Sequence, residues 1–384
     1  MAPFRFQENT WQKYSRGYSG IVVAPTGFGK TFSVFLAVVI DFLNRPEQFA
    51  EGLKLLWITP LRSLAQDLAR AMQEAINEIG LDWTVEVRNG DTDPLIRRRQ
   101  QRQMPDILLV TPETLHLLLA QKGRDRFFRS LQCIAADEWH ELLGSKRGVM
   151  TELAISYLKS QYAGLRIWGI TATIGNLEEA LQVLVPYPGR KARVTAQEKK
   201  KLEIISVFPP EVEILPWAGH SGSRLVEQAV PLILNSRSTI VFTNTRSQSE
   251  LWYQLLLEAW PDFSGQIALH HSSIDSHIRY WIEDSLSKGR LKAVVATSSL
   301  DLGVDFKPVD TVIQVGSGKS VARFMQRAGR SGHTPHEISR IYFVPTHSLE
   351  LIEAAALKEA VKTRTVEDRT PVVMAFDVLV QFMV

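Results

Sequence analysis

The chain has 384 residues, 45% of them apolar, with 44 Lys and Arg against 41 Asp and Glu. That length excludes a small cross-linked scaffold and allows two hydrophobic cores with a remainder, while a charged content of 22% excludes wholesale disorder. The net charge of +3 permits a nucleic-acid partner without requiring one, and the single cysteine, Cys133, excludes an intramolecular disulfide or a multi-cysteine zinc site.

In chain order, residues 1–8 hold no apolar core of the kind a secretory signal needs. The longest apolar stretch, residues 32–40, is interrupted by Ser33 and stopped by Asp41, too short to span a bilayer. The expectation is a cytoplasmic protein with no membrane partner. A first series of short apolar runs follows: Gly20-Ile21-Val22-Val23, Lys54-Leu55-Leu56-Trp57-Ile58, Asp106-Ile107-Leu108-Leu109-Val110, Gln132-Cys133-Ile134-Ala135-Ala136 and Arg166-Ile167-Trp168-Gly169-Ile170. Strands that read as continuous apolar runs are buried on both faces, and their alternation with helical patterns predicts a doubly wound parallel sheet.

A Pro- and Lys-rich stretch around residues 186–216 suits neither helices nor central strands. A second series then runs through Ser238-Thr239-Ile240-Val241-Phe242, Ala293-Val294-Val295-Ala296, Asp310-Thr311-Val312-Ile313-Gln314-Val315 and Ser339-Arg340-Ile341-Tyr342-Phe343-Val344. The predicted domains are 1–195 and 216–346, joined by a linker at 196–215. Residues 347–384 read as a helical segment and the start of a further domain.

Chemistry enters at Ala24-Pro25-Thr26-Gly27-Phe28-Gly29-Lys30-Thr31, between a strand and an apolar helix. This is a phosphate-binding loop with Ala24 at the position of its usual first glycine. Thr26, Gly27 and Gly29 would direct backbone N–H groups at an anion, Lys30 would reach the outer phosphates, and the Thr31 hydroxyl would bind Mg²⁺. Asp137-Glu138-Trp139-His140 ends another apolar run. There Asp137 would hold the same Mg²⁺ and Glu138 would orient or deprotonate the attacking water. The stretch Gly316-Ser317-Gly318-Lys319-Ser320 lacks the span of a second phosphate loop and reads as a basic turn. Further on, Gln326-Arg327-Ala328-Gly329-Arg330 sets two arginines three apart, a spacing suited to clamping a phosphate. With no phosphate loop in that half, Arg327 and Arg330 are expected to act on the nucleotide held by the first domain.

Taken together, these motifs resemble a superfamily 2 nucleic-acid helicase with two tandem RecA-like domains, of the Lhr (large helicase-related) type and its ligase-associated DEXH-box branch. The resemblance extends over essentially the whole chain, with motif III at Thr171-Ala172-Thr173 and motif V at residues 297–305. It implies that Phe6 and Gln7 read the adenine edge, that Asp301, Gly303 and Asp305 of motif V face ATP, and that Gln326 belongs with Arg327 and Arg330 to motif VI. It further implies strand contacts at Pro60, Arg62, Ser63, Gly90, Asp91, Thr92, Thr111, Glu113, Asn244, Arg246, His271 and Thr297. By the same resemblance the third domain is of winged-helix type, the cofactors are ATP and Mg²⁺, and the partner is single-stranded or tailed duplex DNA, with DNA–RNA hybrids and ligase or repair proteins further expectations. The implied activity is ATP-driven 3′-to-5′ movement on DNA in repair or recombination, near the nucleoid. The alternatives are a strand-stimulated ATPase that does not separate strands, and an RNA helicase.

Overall fold

The computed structural model describes residues 2–25, 27–172, 174–197, 201–208, 222–301, 306, 308–332, 337–363 and 365–383. These form two units. One comprises Met1–Pro25, Gly29–Gln197 and Asp368–Val384, and the other comprises Thr26–Phe28 and Glu198–Glu367.

The first unit runs α1 (Arg5–Ser15), β1 (Ser19–Val23), α2 (Lys30–Asn44), β2 (Leu55–Ile58), α3 (Arg62–Ile79), β3 (Val85–Arg88), α4 (Pro94–Arg102), β4 (Ile107–Val110) and α5 (Pro112–Leu119). It continues through α6 (Asp125–Phe128), β5 (Cys133–Ala136), α7 (Trp139–Leu143), α8 (Lys146–Gln161), β6 (Arg166–Thr171), α9 (Leu177–Leu184) and β7 (Lys191–Thr195). The seven strands pair in the order β3-β4-β2-β5-β6-β1-β7, and every ladder is parallel. Parallel strands need helical crossovers, which cover both faces, so the central strands are buried throughout. Leu56, Ile58, Leu108, Ile134 and Ile167 meet Trp139 and the covering helices in one core.

The second unit runs β8 (Leu202–Ser206), α10 (Val226–Asn235), β9 (Ser238–Phe242), α11 (Arg246–Ala259), β10 (Ile267–His270), α12 (Ser276–Ser287), β11 (Ala293–Ala296), β12 (Val309–Val315), α13 (Val321–Ala328), β13 (Ser339–Val344) and α14 (Leu349–Thr363). Its six strands are ordered β10-β11-β9-β12-β13-β8, again all parallel. Successive residues of β9 face opposite ways: Ile240 and Phe242 enter one core cluster and Val241 the other. Both domains are therefore doubly wound α/β sheets.

Two segments depart from the sequence reading. The stretch 196–215, read as a linker, carries β8, which pairs with β13 as an edge strand of the second sheet. Residues 347–384 divide: α14 packs on α13 and β8, whereas the final helix, α15 (Phe376–Met383), packs on α8 of the first unit. There Phe382 lies 4.9 Å from the His116 ring, Lys146 pairs with Asp377 at 2.5 Å, and Asn176 exchanges two hydrogen bonds with the Arg369 backbone.

One buried cluster fixes how the first helix meets the second. Arg166 donates to the Asp41 carboxylate at 2.8 Å and stacks 3.9 Å from the Tyr14 ring centre, joining α1, α2 and β6. The strand that feeds the phosphate loop is equally constrained. A Cβ on Gly20 would stand 2.4 Å from the Ala192 carbonyl oxygen of β7, so only glycine lets β1 approach so closely. Gly20→Ala is expected to destabilise the first unit by about 2 kcal/mol, seen as an earlier urea midpoint by circular dichroism; an unmoved midpoint would contradict this packing.

Candidate nucleotide and nucleic-acid sites

In open parallel sheets, ligands gather beyond the carboxyl ends of the strands, and the first unit puts its chemistry there. After β1 the chain turns through Gly27 (φ 85°) and Gly29 (φ 69°), left-handed conformations that suit glycine. Gly29 caps the N-terminus of α2, whose first two residues are Lys30 and Thr31. Thr26 lies outside the described residues. The Lys30 ammonium is buried without a hydrogen-bond partner among the described residues and stands 3.8 Å from Glu138 Oε2. A buried, unbonded cation at a helix N-terminus is a group waiting for an oxyanion.

Asp137 and Glu138 follow β5, two strands from β1. Asp137 is held on both oxygens: Trp57 Nε1 donates to Oδ2 at 3.2 Å and the Glu138 N–H to Oδ1 at 2.9 Å. Burial, and then the charge of Glu138, push the Asp137 carboxyl up to about 7 against the opposing pull of Lys30. Glu138 has φ 45°, a left-handed conformation that costs a non-glycine residue about 1–3 kcal/mol. Two adjacent carboxylates facing one ammonium leave negative charge that a divalent cation would neutralise. Among the described residues no group of three or more His, Cys, Asp or Glu side chains could hold a metal alone. Thr31 and Asp137 would therefore share it with phosphate oxygens, as Mg²⁺ sites commonly do.

Behind this cluster, His140 Nδ1 lies 3.0 Å from Thr171 Oγ1, linking the second motif to the third; Thr173 is outside the described residues. Burial pushes His140 down, toward the neutral form, despite Glu138 and Glu141. Trp139 is fully buried and donates to the Ala180 carbonyl at 3.0 Å, so its bulk belongs to the core. Gln7, the expected adenine reader, is otherwise engaged. Its Nε2 donates to the Gly29 carbonyl at 3.0 Å and its Oε1 accepts from the Phe4 N–H at 2.9 Å. Phe6 is buried and stacks on Phe4 with ring centres 5.9 Å apart. In this structure the amide braces the phosphate loop.

The strand-contact residues of the first unit lie on turns after β2, β3 and β4. Arg147 on α8 gathers two of them: it grips Glu113 at 2.5 and 3.1 Å and donates to the Pro60 carbonyl at 2.6 Å. Arg62 pairs with Asp91 at 2.7 Å and lies against Gly90, whose Cβ would come within 2.7 Å of it. Thr92 accepts from the Asn89 N–H, and Thr111 lies 3.2 Å from the Thr114 hydroxyl. The Ser63 side chain is outside the described residues. Thus the two acidic members, Glu113 and Asp91, are committed to arginines.

In the second unit, Arg246 donates to the Ser272 hydroxyl at 2.8 Å, Asn244 to the Ser317 carbonyl at 2.9 Å, and His271 is buried 3.4 Å from Glu250. The Thr297 N–H reaches the His270 carbonyl. Gln326 and Arg330 are buried on and just beyond α13; Gly303 and Asp305 lie outside the described residues. Arg327 differs from its expected role. Its Nε and Nη2 grip Asp301 at 2.7 and 3.2 Å, its Nη1 donates to Gln314 at 2.8 Å, and Phe242 covers it at 4.8 Å. With its donors spent inside the unit and only 1% of its surface exposed, Arg327 is an internal clamp between motif V and β12. Trp57, Gln314 and Arg147 are the residues that sequence reasoning missed. Gln314 carried a signal, as a lone amide in an apolar strand, whereas Trp57 read as plain core.

Comparison with known proteins agrees with this geometry. Residues 4–180 match the DEAD/DEAH box helicase family and residues 223–334 the helicase conserved C-terminal domain. The chain belongs to the DEAD/DEAH box helicases. Within them it is similar to Lhr-type proteins: it is 33% identical over 375 residues to the ATP-dependent helicase Lhr-Core of Methanothermobacter thermautotrophicus, covering 93% of this chain and 43% of that protein. It is 30% identical to the Lhr helicase/uracil glycosylase of Escherichia coli, covering 99% and 28% respectively. The chain thus spans less than half the length of these relatives. Among solved structures, Mycobacterium smegmatis helicase Lhr bound to ssDNA and AMP-PNP superposes with TM-score 0.84 at 33% identity, covering 100% of this chain and 51% of that one. The DUF1998 helicase MrfA bound to DNA gives 0.84 at 25%, covering 99% and 54%.

The clamp makes a direct prediction. Arg327→Gln leaves the buried Asp301 carboxylate with Arg323, 3.3 Å away, as its remaining cation, and should destabilise the second unit by about 3 kcal/mol. Urea unfolding followed by fluorescence would show it, and wild-type stability would refute the clamp.

Proposed function

We propose that this chain hydrolyses ATP and uses the cycle to move along a nucleic-acid strand, with DNA as the strand. The observation that carries the reading is Lys30: a buried ammonium with no hydrogen bond among the described residues, at the N-terminus of α2, 3.8 Å from Glu138. Such a group is worth its burial when phosphates arrive between it and the acidic pair. In this reading Lys30 and the loop N–H groups bind the outer phosphates, Glu138 takes the proton of the attacking water, and Arg330 stabilises the charge of the transferring phosphoryl group. Thr31 and Asp137 would hold Mg²⁺, which would supply charge neutralisation on the phosphate oxygens. Trp57 keeps Asp137 aimed.

The strand would be gripped through its phosphates, giving salt-dependent and weakly sequence-selective binding. The DNA-bound states of the Lhr and MrfA structures favour DNA. The 3′-to-5′ sense, a part in repair with ligase-type partners, action on DNA–RNA hybrids and a nucleoid location belong to the same proposal, supported by the motif resemblance.

ATPase assays with oligodeoxythymidylate or oligouridylate test it. DNA should stimulate wild-type turnover more than RNA does. Lys30→Ala and Glu138→Gln should each lose at least about 100-fold in strand-stimulated turnover, and near wild-type rates in either would overturn the proposal. Arg330→Ala should bind a fluorescent ATP analogue with near-normal affinity while losing about 100-fold or more in turnover; an equal loss in binding would remove the arginine from the hydrolytic step.

A further inference from the structure

The first unit buries an arginine that no carboxylate among the described residues neutralises. Arg88 ends the edge strand β3 and is 5% exposed. Its Nη1 is buried without a hydrogen-bond partner, and its side chain joins no hydrogen bond or ion pair among the described residues. Along β3, Glu86 and Arg88 share one face of the strand. Glu86 is engaged by α4, through Arg99 at 2.5 Å and Gln100 at 2.9 Å. Arg97 of α4 is the neighbour whose charge, after burial, pushes Arg88 down. Arg97 itself has a buried Nε without a partner, while its Nη2 donates to the carbonyls of Asn89 and Gly90 at 3.1 and 2.7 Å.

The carboxylates of this segment offer no relief. Asp91 is paired with Arg62, and Asp93 caps α4 by accepting from the Leu95 N–H at 2.7 Å. Two arginines side by side, one buried and unpaired, are costly unless an anion completes them. Arginine's planar fork matches phosphate oxygens in particular. The pair lies at the carboxyl edge of the sheet, where ligands bind, beside the turn of residues 89–92.

We propose that Arg88 and Arg97 form an oxyanion site that takes one backbone phosphate of the bound nucleic-acid strand, with Arg97 shaping the Asn89–Gly90 turn and Arg88 supplying the charge. This rests on the strand-binding function proposed above and adds to it two residues outside the motif positions expected to touch the strand.

The test uses the full chain and fluorescein-labelled oligodeoxythymidylate, with anisotropy titrations across a range of KCl concentrations, for wild type, Arg88→Gln and Arg97→Gln. Loss of one phosphate contact should reduce the slope of log affinity against log salt by about 0.7 and weaken binding about tenfold at moderate salt. Thermal melting without strand separates a ligand site from a structural prop. Removing an unpaired buried charge should leave the midpoint of Arg88→Gln equal to or above wild type in chloride, and sulfate at matched ionic strength should raise the wild-type midpoint more than that of the variant. Unchanged slope and affinity in both variants would overturn the proposal, as would a lowered midpoint of Arg88→Gln in chloride. Selective sulfate protection with an unchanged strand slope would mark a site for free oxyanions and overturn the strand assignment. Failure of wild type to bind the strand would overturn the strand-binding function itself, whereas normal wild-type binding with unaffected variants would leave that function intact.

Discussion

Two carboxylates and one ammonium share the buried end of β5 and the start of α2, and most of what is particular about the first unit serves to hold them. Left alone, Asp137 would take up a proton, because burial and Glu138 both oppose its charge. The structure resists that with a fixed donor on each Asp137 oxygen and with Lys30 nearby. Glu138 is kept in a left-handed conformation that a free chain would abandon. Only a scaffold that over-determines the backbone can impose such geometry, and the parallel sheet with β6 between β5 and β1 is that scaffold. The charge cluster is therefore a reason for the rigidity around it: tolerance in Trp57, Thr171 or His140 would let the carboxylates relax apart.

The sheet's interior was legible in the sequence, and its margins were not, for one physical reason. Runs such as Ile107-Leu108-Leu109-Val110 are apolar throughout because helices cover both faces. The strands absent from the two apolar series are β3, β7, β8 and β10, and these four are the edges of the two sheets. An edge strand meets solvent along one side, so β3, β7 and β8 tolerate Glu86, Lys191, Arg193 and Glu203, and their sequences resemble loops. The linker reading of residues 196–215 failed to see β8 on the same account.

The site divides along a similar line. Backbone-borne features, the glycines of the phosphate loop and the acidic pair after β5, were readable because their spacing is local. Side-chain partnerships were not. Nothing in the spacing of Arg327 and Arg330 announces that Arg327 is committed to Asp301 and Gln314. Nor does the pair Phe6-Gln7 announce that its amide will be spent on Gly29. These outcomes depend on residues 26 and 22 positions away in the chain, brought close only by the sheet.

The return of the chain after Glu367 to the first unit gives that unit an unusual history during synthesis. Its strands are all made by Thr195, yet α15 and the Arg369 contacts to Asn176 come only after Asp368. At a ribosomal pace of about 5–20 residues per second, the surface formed by His116, Tyr157 and Lys146 waits roughly ten to forty seconds after Thr195 for the segment that covers it. During that interval the second unit has time to form its own sheet. The order of assembly is thus nested: Glu198–Glu367 of the second unit is made before α15 reaches the first.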